Sequence, residues 1–476
     1  MADRTVISID LGAESGRVMA VKFNGRKLAI EELHRFSNTP VLIHNTLYWD
    51  FLRLWHEIQV GLSKAKRLKP ASIGVDTWGV DFGLLNAQGH LIGNPVHYRD
   101  KRTIDVMESC FLKLSKSEIY SRTGIQFLPF NTFYQLVSLI ENQPQEIAIA
   151  DTFLMAPDLI NYWLTGAKKC EYTIASTTQL LNAKSGNWDF DLLDQFSIPK
   201  EIFPEIVQPG TKLGLWESIP VIASACHDTA SAVAAVPAAD FEYAYISSGT
   251  WSLVGLETPE PVINSESLRL NLTNEGGVFN TYRLLSNVMG LWILQQARNQ
   301  WKTQGNDFTY AELASQASQA APLRSLIKPD DPVFLPPGDH AQTVVDFCKN
   351  SNQILPESQG EIVRSILESL ALAYKDVIAR LIRLTTRKVE RIHIVGGGSQ
   401  NALLNQMTAD ATGKDVVAGP AEATVIGNAL VQLITLGDLK DLKEARNVVA
   451  KMDELKHYYP QNNAAWEDAF SRYKQL

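Results

Sequence analysis

Two turns of one type, one in each half of the chain, carry residues suited to holding phosphate. They are Asp10-Leu-Gly-Ala-Glu-Ser-Gly-Arg17 near the start and Ser247-Ser-Gly-Thr-Trp-Ser252 past the middle. In both, an apolar, β-branched run (Val6 to Asp10, Tyr243 to Ser247) meets small residues whose backbone N–H groups approach an anion without hindrance. A second apolar run follows each turn, Arg17 to Lys22 and Trp251 to Gly255, so each copy reads as a hairpin and not as the strand-to-helix step of a P-loop. Two facing hairpins would clamp a polyphosphate. Asp10 ends a buried strand, where a carboxylate needs a cation or hydrogen-bond donors. It suits magnesium-bound water, and an ordinary turn with a solvated acid is the alternative.

Asp228 is the candidate base. Pro220 to Cys226 reads as a strand, followed at once by His227-Asp-Thr-Ala-Ser231 and a helix of small residues to Val236. Active sites of α/β proteins gather at such a strand end. A carboxylate there can take the proton of a hydroxyl that attacks a γ-phosphate, or can simply cap the helix. Val75-Asp-Thr-Trp-Gly-Val-Asp-Phe-Gly83 offers Asp76 and Asp81 as acceptors for a polyol, with Trp78 either covering a sugar face or packing in the core. Gly396, Gly397 and Gly398 follow the strand Arg391 to Val395 and leave room for a purine and ribose, or form a flexible turn. The histidines lack metal spacing, so no protein-held metal is expected.

The elements that must position these residues are legible in part. Strands are predicted at Val6 to Asp10, Arg17 to Phe23, Leu28 to Phe36 and Ser72 to Asp76, with a helix from about Asp50 to Lys64. Apolar residues Ile362, Ile366, Leu370, Val377, Leu381 and Leu384 mark a long amphipathic helix from about Glu361 to Leu384, and a further helix is predicted from Asn401 onward. Strands alternating with helices imply an α/β fold with mixed sheets. At 476 residues the chain is long for one core. Residues 1–238 and 239–476 are expected to form two lobes, joined by a short hinge at Pro237-Ala-Ala-Asp240.

A net charge of -8 without a basic run argues against nucleic-acid and anionic-membrane partners. No apolar stretch has the length of a bilayer span, and the four dispersed cysteines contain no C-x-x-C pair. These features, and an N-terminus with no signal-peptide pattern, predict a cytoplasmic protein, either a monomer or a homodimer.

The ordered motifs resemble the FGGY family of carbohydrate kinases, in the actin, Hsp70 and sugar-kinase superfamily. The likeness is carried by Asp10-Leu-Gly-Ala-x-Ser-Gly-Arg-Val18, Asp76-Thr-Trp-Gly-Val-Asp-Phe82, Tyr98-Arg-Asp-x-Arg-Thr103, Thr123 to Thr132, His227-Asp-Thr-Ala-Ser-Ala-Val233 and Ser247 to Ser252. Thr273-Asn-Glu-Gly-Gly277, His393 to Asn401 and Ala418-Gly-Pro-x-Glu-Ala423 continue it in the same order. Within the family the set is similar to the members acting on L-rhamnulose. The resemblance implies two RNase H-like lobes with a catalytic cleft between them, and ATP-dependent phosphorylation of the sugar's 1-hydroxyl with magnesium. It implies Asp228 as base. By the same likeness Asp10, Ala13, Glu14, Ser15, Gly16, Arg17, Gly249 and Thr250 face the phosphates, and Gln295, Gly396, Gly397 and Gly398 the nucleotide. Asp76, Trp78, Gly79, His227, Asp228, Thr229 and Asn287 would face the sugar. Glu14 replaces a small polar residue of the family, so its carboxylate either meets magnesium or points away from the phosphates. A kinase for L-fuculose, xylulose or ribulose, and a non-catalytic sugar or nucleotide sensor, are the alternatives.

Overall fold

The computed structural model describes residues 3–238, 240–461 and 464–476. Ala239, in the expected hinge, lies outside the described residues. The chain divides into two compact units, and neither is contiguous in sequence. The first comprises Met1–Ala239, Glu257–Leu284 and Ala423–Met452, and the second Asp240–Leu256, Leu285–Glu422 and Asp453–Leu476. Two segments of the second half, Glu257–Leu284 and Ala423–Met452, are therefore assigned to the first unit, while the last helix, Ala464–Tyr473, belongs to the second.

The first unit is built on β1 (Arg4–Leu11), β2 (Ser15–Phe23), β3 (Leu28–Ser37), β4 (Ile73–Thr77), β5 (Lys212–Trp216) and β6 (Ile219–Ile222). They form one sheet in the order β5-β6-β4-β1-β2-β3. β1 and β2 are an antiparallel hairpin, and β4 runs parallel to β1 on its other side. Alternating apolar residues bury Ile7, Ile9 and Leu11 against the helix Phe51–Ala65, whose N-cap Asp50 accepts from Arg53 N–H. β6 ends at Ile222, four residues before the end expected from the sequence. Ala223 to Cys226 leave the ladder because their polar groups find other partners. Ala223 N–H donates to Thr211 O at 2.8 Å, Ser224 Oγ to Val75 O at 3.0 Å, and Cys226 N–H to the Glu171 carboxylate at 3.2 Å.

The helix Ala423–Leu436 is apolar on almost every side and correspondingly buried. It packs on β1 and on the small-residue helix Asp228–Ala234. Gly427 permits the approach, since a Cβ there would run into the Ser231 carbonyl.

In the second unit β7 (Tyr243–Ser248) and β8 (Trp251–Thr258) form the second hairpin. With most of β9 (Tyr282–Met289), and with β10 (Arg391–Val395), β11 (Asp415–Ala418) and β12 (Lys456–Tyr458), the order is β9-β8-β7-β10-β11-β12. β7, β10 and β11 are parallel neighbours. The long helix spans Gln359–Thr385, starting at a Ser358/Glu361 capping box, and Asn401 caps Ala402–Thr412. Among the described residues no helix is long and apolar enough to cross a membrane.

Candidate active site

Three carboxylates meet at the carboxyl end of the first unit's sheet. Asp10 of β1 stands in register with Asp76 of β4, and β4 continues through a bridge between Thr77 and His227, the residue before Asp228. Thr77 N–H donates to Cys226 O at 2.9 Å, so the sheet itself delivers Asp228 to the other two acids. Asp10 is 6% exposed and ion-pairs with Arg17, its cross-strand partner. Asp76 is 0% exposed; its Oδ2 accepts from Asn428 Nδ2 at 2.6 Å, and among the described residues its Oδ1 has no hydrogen-bond partner. Burial, then the charge of Asp10, drives the Asp76 carboxyl well above the ordinary carboxylate range, with Asn428 opposing and Asp228 adding to the rise.

Asp228 is the first residue of its helix, with His227 at the cap position. Its Oδ1 accepts from Thr229 N–H at 2.5 Å and from Thr229 Oγ1 at 3.1 Å, and lies 3.3 Å from His227 Nε2. A third of the side chain, 32%, stays open. Burial raises its pKa above 3.8; the neighbouring His227 lowers it and the like charge of Asp10 raises it. The acid is poised to take a proton. The buried Glu171 carboxylate braces the segment before it, accepting from Thr173 and Ile174 N–H and from Cys226 N–H, while Thr173 Oγ1 accepts from His227 N–H at 3.1 Å. On the far side of His227, Nδ1 lies 3.0 Å from Arg283 Nη2 and 3.4 Å from Glu275 Oε2.

Trp78 is 5% exposed and its indole N–H donates to Asp81 at 2.9 Å, as does that of Trp49 at 2.6 Å. Burial lifts Asp81 to about 6. Between them the turn is tight: a Cβ on Gly79 would come within 3.2 Å of Thr177, and Val80 has φ +67°, unfavourable for a β-branched residue. Hydrogen bonds from Val80 N–H to Thr177 Oγ1 and from Thr132 Oγ1 to Val80 O hold it there.

In the first hairpin turn Gly12 N–H donates to Ser15 O at 2.9 Å, and Asn38 fastens the loop at Gly12 O and Glu14 O. Gly16 is demanded by packing, because a Cβ would enter the Phe36 ring. Ala13 and Ser15 are half-buried. Glu14 is exposed as a whole residue; partial desolvation of its carboxyl group by the surrounding turn raises its pKa, while Arg99 opposes.

The second unit brings Gly249, Thr250, Gln295 and the three glycines into its own cluster. Leu291 N–H donates to Gly249 O and Trp292 N–H to Thr250 O, both at 3.1 Å, which ties the turn to the helix Trp292–Thr303 carrying Gln295. Gln295 Oε1 is buried, and among the described residues nothing hydrogen-bonds to it. Gly396, at φ +84°, and Gly398 have no room for a Cβ because of Ser248, whereas nothing lies within 4 Å of one on Gly397. Ser252 Oγ and Tyr374 OH bond at 2.7 Å under the turn. Asn287, half-buried, lies on β9, whose last residue donates from Met289 N–H to Asp330 at 2.8 Å.

Sequence reasoning missed Asn428, Arg283, Glu171 and Tyr374. A signal existed for the first: Asn428 and Gln432, four residues apart in an otherwise apolar helix, form one buried polar stripe, with Gln432 donating to Ile7 O at 3.0 Å.

The N-terminal domain of the FGGY family of carbohydrate kinases matches residues 5–234, and the C-terminal domain of that family matches 244–436. A rhamnulokinase of Bacteroides thetaiotaomicron is 45% identical over 479 residues, covering 98% of each chain. One of Pectobacterium atrosepticum is 43% identical, covering 100% of this chain and 97% of its own. Among solved structures, xylulose kinase from Lactobacillus acidophilus aligns at TM-score 0.81 and 20% identity over 99% of this chain and 97% of its own. Gluconate kinase from the same organism aligns at 0.82 and 20% over 100% and 97%. At that identity the likeness is one of fold: the two-domain kinase fold of mixed sheets and helices.

Proposed function

Because this chain belongs to the FGGY family of carbohydrate kinases, we propose that it transfers the γ-phosphate of ATP to the 1-hydroxyl of L-rhamnulose, giving L-rhamnulose 1-phosphate and ADP. The observation that carries the chemistry is Asp228, a partly open carboxylate whose pKa is raised beside Asp10. The substrate rests on relatives named rhamnulokinase at 43% and 45% identity over nearly the whole chain. The proton of the sugar hydroxyl passes to Asp228 as its oxygen bonds to the γ-phosphorus. The bond from that phosphorus to the bridging oxygen breaks, and ADP leaves. Within the first unit, His227, Thr229 and Gly79 line the sugar. Asp76 and Trp78 act from beneath it, Asp76 through Asp10 and Trp78 through Asp81.

Gly249, Thr250 and Gly396 to Gly398 hold the nucleotide, with the unpartnered Gln295 oxygen as an acceptor for it. The first turn, Ala13 to Arg17, takes the phosphates, with Arg17 as its cation. Magnesium bound with ATP would neutralise phosphate charge. Such an ion would keep several of its waters and lean on phosphate oxygens. Asp10 would be the carboxylate that meets such waters. The four free, buried cysteines are in keeping with a reducing cytoplasm.

The test is ADP release coupled to added L-rhamnulose, L-fuculose, xylulose or ribulose. L-Rhamnulose is expected to give the highest kcat/KM. A higher value for another ketose would reassign the substrate, and release with none of them would replace catalysis by sensing.

A further inference from the structure

We infer that Arg283 and Glu275 are positioning residues that fix the tautomer of His227 and, through it, the oxygen of Asp228 that receives the sugar's proton. This rests on Asp228 being the base. A guanidinium can only donate hydrogen bonds. With Arg283 Nη2 at 3.0 Å, His227 Nδ1 must present its lone pair, and the ring hydrogen is on Nε2. Nε2 then donates toward Asp228 Oδ1, 3.3 Å away. Thr229 N–H and Oγ1 reach the same oxygen. Three donors thus converge on Oδ1, and among the described residues none is placed on Oδ2. Oδ2 keeps the lone pairs that accept the proton.

The opposite tautomer is disfavoured at both ends. Its Nδ1–H would use only the longer contact, 3.4 Å to Glu275 Oε2, with a guanidinium pressed against it. Its Nε2 lone pair would face the Asp228 carboxylate. Arg283 has no freedom to move aside: it is 0% exposed, donates from Nε to Gly276 O at 2.9 Å and pairs with Glu275 Oε2 at 3.1 Å. Glu275 in turn supplies the charge that a buried guanidinium requires. Burial alone would raise the Glu275 carboxyl, but the Arg283 guanidinium beside it opposes that rise and the carboxyl lies below its ordinary range, so the pair stays ionised.

The decisive measurement is a long-range 1H–15N spectrum of the 15N-labelled full chain, with the His227 signals identified by their loss in His227→Gln. A hydrogen on Nε2 and a bare Nδ1 are expected; a hydrogen on Nδ1 overturns the inference. Kinetics give a second arm. Arg283→Met should lower kcat on the ketose by about 10²-fold, the low end for a general-base contribution, and leave KM for ATP within about twofold. Arg283→Lys, which keeps a donor, should recover at least about tenfold of that loss. Unchanged kcat in Arg283→Met, or a loss confined to KM, overturns it too. If wild-type protein phosphorylates no ketose, the functional reading fails while the spectrum still decides the tautomer.

Discussion

The two hairpin turns share a backbone and differ in chemistry. The first is ionic: Asp10 faces Arg17 across the strands and stands in register with Asp76. The second is neutral and built on hydroxyls and glycines: Ser248 crowds Gly396 and Gly398, and Ser252 bonds Tyr374. A charged turn can handle protons and cations, whereas a neutral turn of close-packed glycines offers backbone and shape. The two turns thus offer different things: charge in the first, shape in the second.

The sharpest way to break that division is at the charged end. Asp228→Asn should cut kcat by about 10²- to 10⁴-fold while binding of ketose and ATP, measured calorimetrically, persists. At the neutral end Gly398→Ala drives a Cβ into Ser248 Oγ. Overpacking should cost about 1–3 kcal/mol in denaturant unfolding and raise the KM for ATP about tenfold. Gly397→Ala, with open space around it, should keep wild-type stability, so any effect there reports nucleotide contact alone. Tyr374→Phe removes one buried hydroxyl and leaves Ser252 unpaired, about 1 kcal/mol by the same unfolding assay, with kcat on the ketose unchanged. The smallest expected effect is in pH. Asp228 works ionised, so kcat/KM is present above its pKa and lost as pH falls through it, at a pH above 3.8 because burial raises that pKa. Asp10→Asn removes the like charge and should move this acid limb to lower pH. A limb that stays put would remove Asp10 from the electrostatics of the base.

The hairpins were legible because apolar alternation and small-residue turns are local signals. Asp228 was legible because a carboxylate between a strand and a helix start is a positional one. His227 takes the cap position in the structure, yet Asp228 Oδ1 accepts from Thr229 N–H in the first turn, so the helix-capping role stands beside that of a base. Asp76 shows the limit. Read along the chain it is a hydroxyl acceptor, yet parallel pairing puts it beside Asp10 and a helix 352 residues away covers it with Asn428. Arg283 is hidden likewise: a lone cation in an apolar strand has no role until register places His227 and Glu275 against it. Partners 56 and 352 residues apart leave no spacing to read.

That distance also has a cost in time. The first unit lacks Ala423–Met452 until nearly the whole chain exists. About two hundred residues separate Ala239 from that last segment, and at about 5–20 residues per second a ribosome needs roughly 10–40 s to supply it. During that interval Gly74 and Ser72 have no Asn428 or Gln432 to meet them. Until then the nascent first unit has its acid pair uncovered and bares the surface that an apolar helix later covers, well before it is a kinase.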